Sequence, residues 1–213
     1  MNFFEIINNC LLELNYRQVN NFSELIKNDH KKLISIINII NKEICSAHNW
    51  NFLLRNQTIT IPKKSSKGVQ NPVNGRILHL IIDNKKYKFV ENFEQFLLGQ
   101  GHDFTYSICN DKLFFPKFKT EKTAQVIYYS KNCAVSKNGT EKEDLTDPDD
   151  CSLIPMPFAQ QLLTYGACLR LKANPSYIRF SYWMSMYKEA LVNLKSKTCI
   201  DSHYSPHVIL HRQ

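Results

Sequence analysis

The side chains here that could hold a metal or act as nucleophiles are seven cysteines and seven histidines, and their spacing limits their chemistry. Cys10, Cys45, Cys109, Cys133, Cys151, Cys168 and Cys199 are widely spread, with no CxxC pair. Neither a zinc knuckle nor a dithiol redox centre is therefore expected. An odd set of scattered thiols fits a reducing compartment. Cys10, Cys45 and Cys168 fall on apolar helical faces, where a free thiol serves as a small hydrophobe. His30, His48, His79, His102, His203, His207 and His211 contain no HExxH pair. The last three recur every four residues, a spacing that would stack them on one helix face, but Pro206 interrupts a helix there. Cys133 and Cys151 lie in loops, and His102 could serve as a base. Nothing in the sequence ties it within hydrogen-bond reach of either thiol. Gly68, Gly75 and Gly139 are isolated turn glycines rather than a phosphate loop. No enzymatic activity, metal or cofactor is expected.

Charge is gathered in two blocks. The segment EKEDLTDPDD, residues 141–150, carries six acids and one lysine. Asp144, Asp147, Asp149 and Asp150 miss the odd-position acids, central glycine and terminal glutamate of a calcium loop. The segment reads as a solvated loop, or as a patch that docks on a basic neighbour through Asp147, Asp149 and Asp150. The basic block comprises Lys63, Lys64, Lys67, Lys85, Lys86 and Lys88, with Arg76 close by in sequence. Tyr87 and Phe89 interleave with Lys86 and Lys88. Three readings stand open for this block: solvated lysines, a face complementary to an acidic subunit, or a track along DNA phosphates. The whole chain has 27 basic and 19 acidic side chains, a net charge of +8, which permits an acidic partner without requiring one.

Helices and strands must position these groups. Phe3, Ile6, Ile7, Cys10, Leu11 and Leu14 recur at three and four residues and predict a helix over about 2–15. Leu33, Ile36, Ile37, Ile40, Ile44 and Ala47 form a second stripe, widened by Ile34 and Ile39, with Asp29 as its expected cap. Trp50, Phe52 and Leu53 lead out of it. Short strands follow at 57–61, 76–82, 87–90, 104–108, 112–115 and 124–130, with turns at Asp83–Lys86 and Asn110-Asp111. A helical turn or two is expected at 92–98. Helix returns at about 157–172, and again from Pro175 to about Lys195, with Asn174 as its cap. The fold class expected is α+β: an antiparallel helical bundle from both ends of the chain, an inserted antiparallel β subdomain and an extended C-terminal tail. Residues 1–54 pair with 154–198, residues 55–153 form the insertion with its acidic linker, and residues 199–213 are the tail. At 213 residues the chain supports one core plus a small subdomain. No membrane span is expected, and Met1–Leu14 lacks the basic start of a secretory signal.

Three features occur in order along residues 2–197. The first is Ile37-Asn38-x-x-Asn41-x-x-Ile44 leading to Trp50-x-Phe52. The second is Ile127-Tyr128-Tyr129 followed by the acidic linker. The third is Ile154-Pro155-x-Pro157-Phe158 opening a helix, with Trp183 and Tyr187 on the last one. In this set the chain resembles the head–tail adaptors of short-tailed bacteriophages, also called tail accessory or tail tubular A-like proteins. The resemblance implies a structural virion protein in a ring, commonly a dodecamer, beneath the portal at the head–tail junction. It would be made in the host bacterial cytoplasm. It would extend the channel for double-stranded DNA without sequence-specific binding and dock the tail nozzle or fibres. Its partners would be the portal protein, neighbouring copies of itself and those tail proteins. The portal-binding tail would be Cys199–Gln213, through Tyr204, Val208, Ile209 and Leu210. The alternative is a basic nucleic-acid-binding accessory protein.

Overall fold

The computed structural model describes residues 1–63, 68–99 and 103–198. The elements in chain order are α1 (Phe3–Glu13), α2 (Asn28–Ala47), β1 (Leu54–Ile61), β2 (Val69–Gln70), β3 (Gly75–Ile82), β4 (Lys85–Phe89), α3 (Phe93–Leu97), β5 (Thr105–Cys109), β6 (Lys112–Phe114), β7 (Lys122–Ser130), β8 (Ala134–Val135), β9 (Glu141–Lys142), β10 (Cys151–Ser152), α4 (Phe158–Leu171) and α5 (Phe180–Thr198). The chain is a mixed α+β protein of two compact units. A helical unit comprises residues 1–53 and 132–198; a strand unit comprises Leu54–Lys131. Residues 132–153, grouped with the strands in the sequence reading, therefore belong with the helices. Residues 64, 67 and 199–213 of the expected sites lie outside the described residues.

In the helical unit, α4 is buried on nearly every side and packs against α1, α2 and α5. Gly166 lets it approach closely, since a Cβ there would lie 3.0 Å from the Tyr187 ring and 3.2 Å from Ile40 Cδ1. The apolar stripe of α1 is buried as its spacing predicts. Its start is well closed: Asn2 and Glu5 form a reciprocal capping box, each accepting from the other's backbone amide at 2.9 Å. The stripe of α2 is narrower than expected, because Ile39 is 44 % exposed and Ala47 is exposed. Its buried face turns instead toward Asn41 and Cys45. Asp29 lies within the first turn, and Lys27 takes the cap position. At the far end, Trp50 is fully buried and donates from Nε1 to the Ile44 carbonyl at 2.6 Å, satisfying one of the acceptors that the last turn leaves open. The last helix starts at Phe180, later than Pro175. Asn174 caps only a local turn, accepting from Ser176 N at 3.0 Å.

The strand unit is a largely closed sheet in the order β1-β7-β3-β4-β5-β6-β2. Its core draws Ile59, Ile61, Leu80, Ile82, Tyr87, Tyr106, Leu113, Ala124 and Val126 from strands across that order. Neighbours are antiparallel except β4 and β5, which run parallel, so the wholly antiparallel subdomain expected from sequence is corrected. The physical reason is the intervening α3, capped by the Asn92 side chain, which carries the chain over before it re-enters in the same direction. The β3–β4 hairpin is tighter than the sequence suggested, while the β5–β6 turn falls at Asn110-Asp111 as expected. Ile82 pairs with Lys85 and Cys109 with Lys112, leaving two-residue loops. Asp83, Asn84, Asn110 and Asp111 all have φ between 48° and 60°, which matches the right-handed strand twist and which Asn and Asp tolerate.

Candidate functional site

The acidic segment is built into the helical unit. The Asp150 carboxylate is 1 % exposed and accepts from the amides of Thr146 and Asp147, each at 2.7 Å. The ammonium of Lys142 lies 2.6 Å from Asp150 and 2.8 Å from Asp147. Burial acts to raise the Asp150 carboxyl, but Lys142 and the two amides outweigh it and hold the group below the ordinary carboxylate range. Hydrogen bonding from Lys142 and Thr146 likewise lowers Asp147. Asp149 is paired with Lys137 at 3.0 Å, and Asp144 with Lys42 of α2 at 2.8 Å. Lysines the sequence reading had not paired with the segment thus neutralise it from α2 and from its own flanks. Of the three expected docking acids, Asp150 is enclosed, while Asp147 and Asp149 are exposed but already paired.

The same segment closes the start of α1. The carbonyls of Asp150 and Pro148 accept from Phe3 N and Phe4 N at 2.7 and 3.1 Å. Asn38 of α2 mimics a strand neighbour, accepting from Leu145 N at 2.8 Å and donating to Leu145 O at 3.0 Å. Asn41, fully buried, donates to the Cys133 carbonyl at 2.9 Å and accepts from the Ser152 hydroxyl at 2.7 Å. The sheet β10-β8-β9 is thereby fastened to α2. Both asparagines are therefore structural: Asn41 joins α2 to the small sheet, and Asn38 joins it to the acidic segment at Leu145.

The cysteines occupy interior contacts. Cys10 and Cys168 each donate to a carbonyl of the other's helix at 3.8 Å. Burial, then contact with Cys168, pushes the Cys10 thiol well up. Cys45 is raised too, first by its hydrogen bond with Cys133 and then by burial, while that bond lowers Cys133. Both thiols are about 95 % buried, which suits packing more than attack on a substrate. Cys151 lies on β10 and is partly exposed, while His102 falls outside the described residues. Among the described residues, no group of three or more His, Cys, Asp or Glu side chains could hold a metal ion, and no helix is long and apolar enough to cross a membrane.

The basic residues present a different surface. On β4, Tyr87 enters the core while Lys86 and Lys88, at the alternate positions, stay exposed. Lys85 is held on the Tyr87 side, its ammonium 4.4 Å from the Phe104 ring centroid. Lys63 is exposed just beyond β1. Ile61 pairs with Lys122, and Ile82 with both Ala124 and Lys85, so Lys63 and Lys85 sit toward one end of the sheet. The register also brings in Lys122, which is tied to Asp83 at 2.6 Å. Sequence reasoning missed Lys117 and Lys119, both exposed and flanking Phe118, which packs 6.4 Å from the Tyr87 ring. The Lys-Phe-Lys alternation was the available signal.

Compared with known protein families and with curated proteins, the chain matches none. The charge division consequently comes from this chain alone. The strand unit holds thirteen basic against six acidic side chains, a net of +7, and the rest of the chain holds fourteen against thirteen, a net of +1.

Proposed function

We propose that this chain is a structural head–tail adaptor of a short-tailed bacteriophage, acting in a ring below the portal and extending the DNA channel. The observation that supports this reading best is the division of the chain. Both ends contribute to one helical unit, and a separate strand unit is inserted between them. That division follows the same order of segments on which the adaptor resemblance rests. In the finer form of the proposal, α1, α2, α4 and α5 make an antiparallel bundle, and Cys199–Gln213 extends to the portal through Tyr204, Val208, Ile209 and Leu210. The ring, commonly a dodecamer in such adaptors, presents a docking surface for nozzle or fibre proteins. The protein is made in the host cytoplasm and ends in the virion.

A channel lining must not grip the genome. Exposed lysines such as Lys86 and Lys88, unpaired among the described residues, supply diffuse attraction without base readout. Exposed apolar side chains on the helical unit, Met156, Ile178, Tyr182 and Val192 among them, offer contact area to neighbouring subunits. The free chain is then a monomer, and the portal templates the ring.

The net +7 of the strand unit favours one second reading, a nucleic-acid-binding accessory protein. Electron cryo-microscopy of the chain mixed with a portal ring, with and without residues 199–213, separates the two. The adaptor reading expects a bound ring that is lost on truncation. A chain that ignores the portal and binds DNA at low salt overturns it in favour of the second.

A further inference from the structure

The two long helices at the beginning of the chain start very differently. α1 is closed by its capping box and by two distant carbonyls. α2 is twenty residues long, yet Lys27 at its cap position contributes no side-chain hydrogen bond. Its first bond runs from Lys31 N to Lys27 O at 3.1 Å. Among the described residues, the amides of Asn28, Asp29 and His30 therefore have no acceptor. The charges also have the wrong sign for a helix start. Lys27, Lys31 and Lys32 crowd the positive pole, with Asp29 as the acid of the first turn.

A cavity of about 520 Å³ opens at this point, and Arg17, Lys27, Tyr16, Asp29 and His30 line it. Arg17 and Lys27 are exposed and form no ion pair among the described residues. His30 also lines the cavity while only 5 % exposed, and its Nδ1 has no hydrogen-bond partner. Beside the cavity, Lys172 donates to the Tyr16 hydroxyl at 2.9 Å and adds a further positive charge. Unused amides, two free cations and an enclosed imidazole without a partner all call for an acceptor-rich anion.

We propose that this cavity binds a small phosphate monoester. A phosphate presents three terminal oxygens and close to two negative charges, against two oxygens and one charge for a carboxylate. It would take the amides of residues 28–30 together with Arg17 and Lys27. The volume exceeds what a bare phosphate needs, and Asn15, Asn28 and Asp29 can take hydroxyls of the attached group. Asp29 opposes an anion placed against it, which directs the phosphate to the Arg17–Lys27 side.

The test uses the full chain titrated with inorganic phosphate, ribose 5-phosphate and adenosine monophosphate, against sodium chloride at equal ionic strength. Amide chemical shifts of residues 28–30 and the melting midpoint are the readouts. The esters should give saturable shifts there and bind at least about tenfold more tightly than inorganic phosphate. The double variant R17Q/K27Q should weaken binding by about tenfold or more. Lys27→Asp is the sharper variant. Its carboxylate can accept the unused amides as a cap, so the free protein should melt higher while ester binding is lost. Equal binding of inorganic phosphate and the esters would overturn the monoester assignment in favour of the free ion. No saturable response up to about 20 mM, or a Lys27→Asp protein that still binds, would overturn the site itself.

Discussion

In the helical unit all four aspartates of the 141–150 segment meet a lysine, and the Asp150 carboxylate is buried among donors. In the strand unit, by contrast, thirteen cations face six acids, and Lys86 and Lys88 project from a sheet whose other face is the core. The contrast separates two uses of charge. Buried, paired charge fixes how segments distant in sequence join. Exposed, unpaired charge leaves a surface that can meet something else. It also separates two kinds of core: one of helices locked together by polar side chains, the other of strands held by apolar alternation.

The largest effect should come from breaking the strand unit alone. A Cβ on Gly75 would lie 2.1 Å from the Tyr129 carbonyl oxygen and 2.8 Å from the Tyr128 ring. The first of these is backbone on the paired strand β7 and cannot swing aside. Gly75→Ala should destabilise that unit by about 3 kcal/mol. Hydrogen exchange should accelerate across β1, β3 and β7 while α1, α2 and α4 keep their protection. If the helices lose protection equally, the division into two units fails.

Next comes the enclosed carboxylate. Asp150→Asn keeps the shape but removes the charge facing Lys142 and puts a donor where amides donate. It should cost about 2–3 kcal/mol in a denaturant melt. Its pH dependence carries a sign. Asp150 is held below its ordinary value of 3.8, so its contribution is present above that value and lost as pH falls through the folded one. For Lys142, burial acts to lower the ammonium, but Asp147 and Asp150 raise it above its ordinary 10.5. Its contribution is present below that value and lost as pH rises through the folded one. The variant should therefore show a flatter stability profile at both extremes. An unchanged acid limb would show that Asp150 is not the group responsible.

Somewhat smaller is the loss of the buried amide. Asn41→Ala removes one of two donors to the Cys133 carbonyl, which keeps Leu153 N at 3.0 Å, and the acceptor of the Ser152 hydroxyl proton, at about 1–2 kcal/mol. The exchange of amides in β8 and β10 should rise first, ahead of the rest of the helical unit. Uniform loss across α1, α2 and α4 would instead mean that Asn41 serves the helices generally.

These sites also mark where sequence reasoning reached its limit. The stripes of α1 and α4, the strands of the insertion and both hairpin turns are local patterns, and periodicity alone exposes them. Asn41 is different: on a helical wheel it is a polar residue beside an apolar stripe, and only a sheet some ninety residues later makes it a buried partner. Asp150 reads as one acid among six because its two shortest donors besides Lys142 are backbone amides, which a sequence does not advertise. The parallel β4–β5 pair was hidden for a related reason, since strand direction depends on where α3 delivers the chain. The basic positions of β4 were legible by alternation. Lys117 and Lys119 show the same alternation around Phe118, but their link to β4 is not local, because it runs through the packing of Phe118 against Tyr87.

The smallest structural effect tests the other half of the comparison. Lys86→Gln with Lys88→Gln removes two exposed charges that support no core contact, so stability should change by no more than about 0.5 kcal/mol. The consequence should appear only in the presence of a polyanion. If these lysines lie along duplex phosphates, the slope of log affinity against log salt should fall by about 1–2, since each lost phosphate contact removes close to 0.9. The loss should be the same for unrelated DNA sequences, because neither lysine is placed to read bases. A slope that does not move, with stability also unchanged, would remove DNA from this face and leave solvated lysines or an acidic protein neighbour. Asp147 and Asp149, exposed though each is already paired with a lysine, would then be the groups to exchange against it.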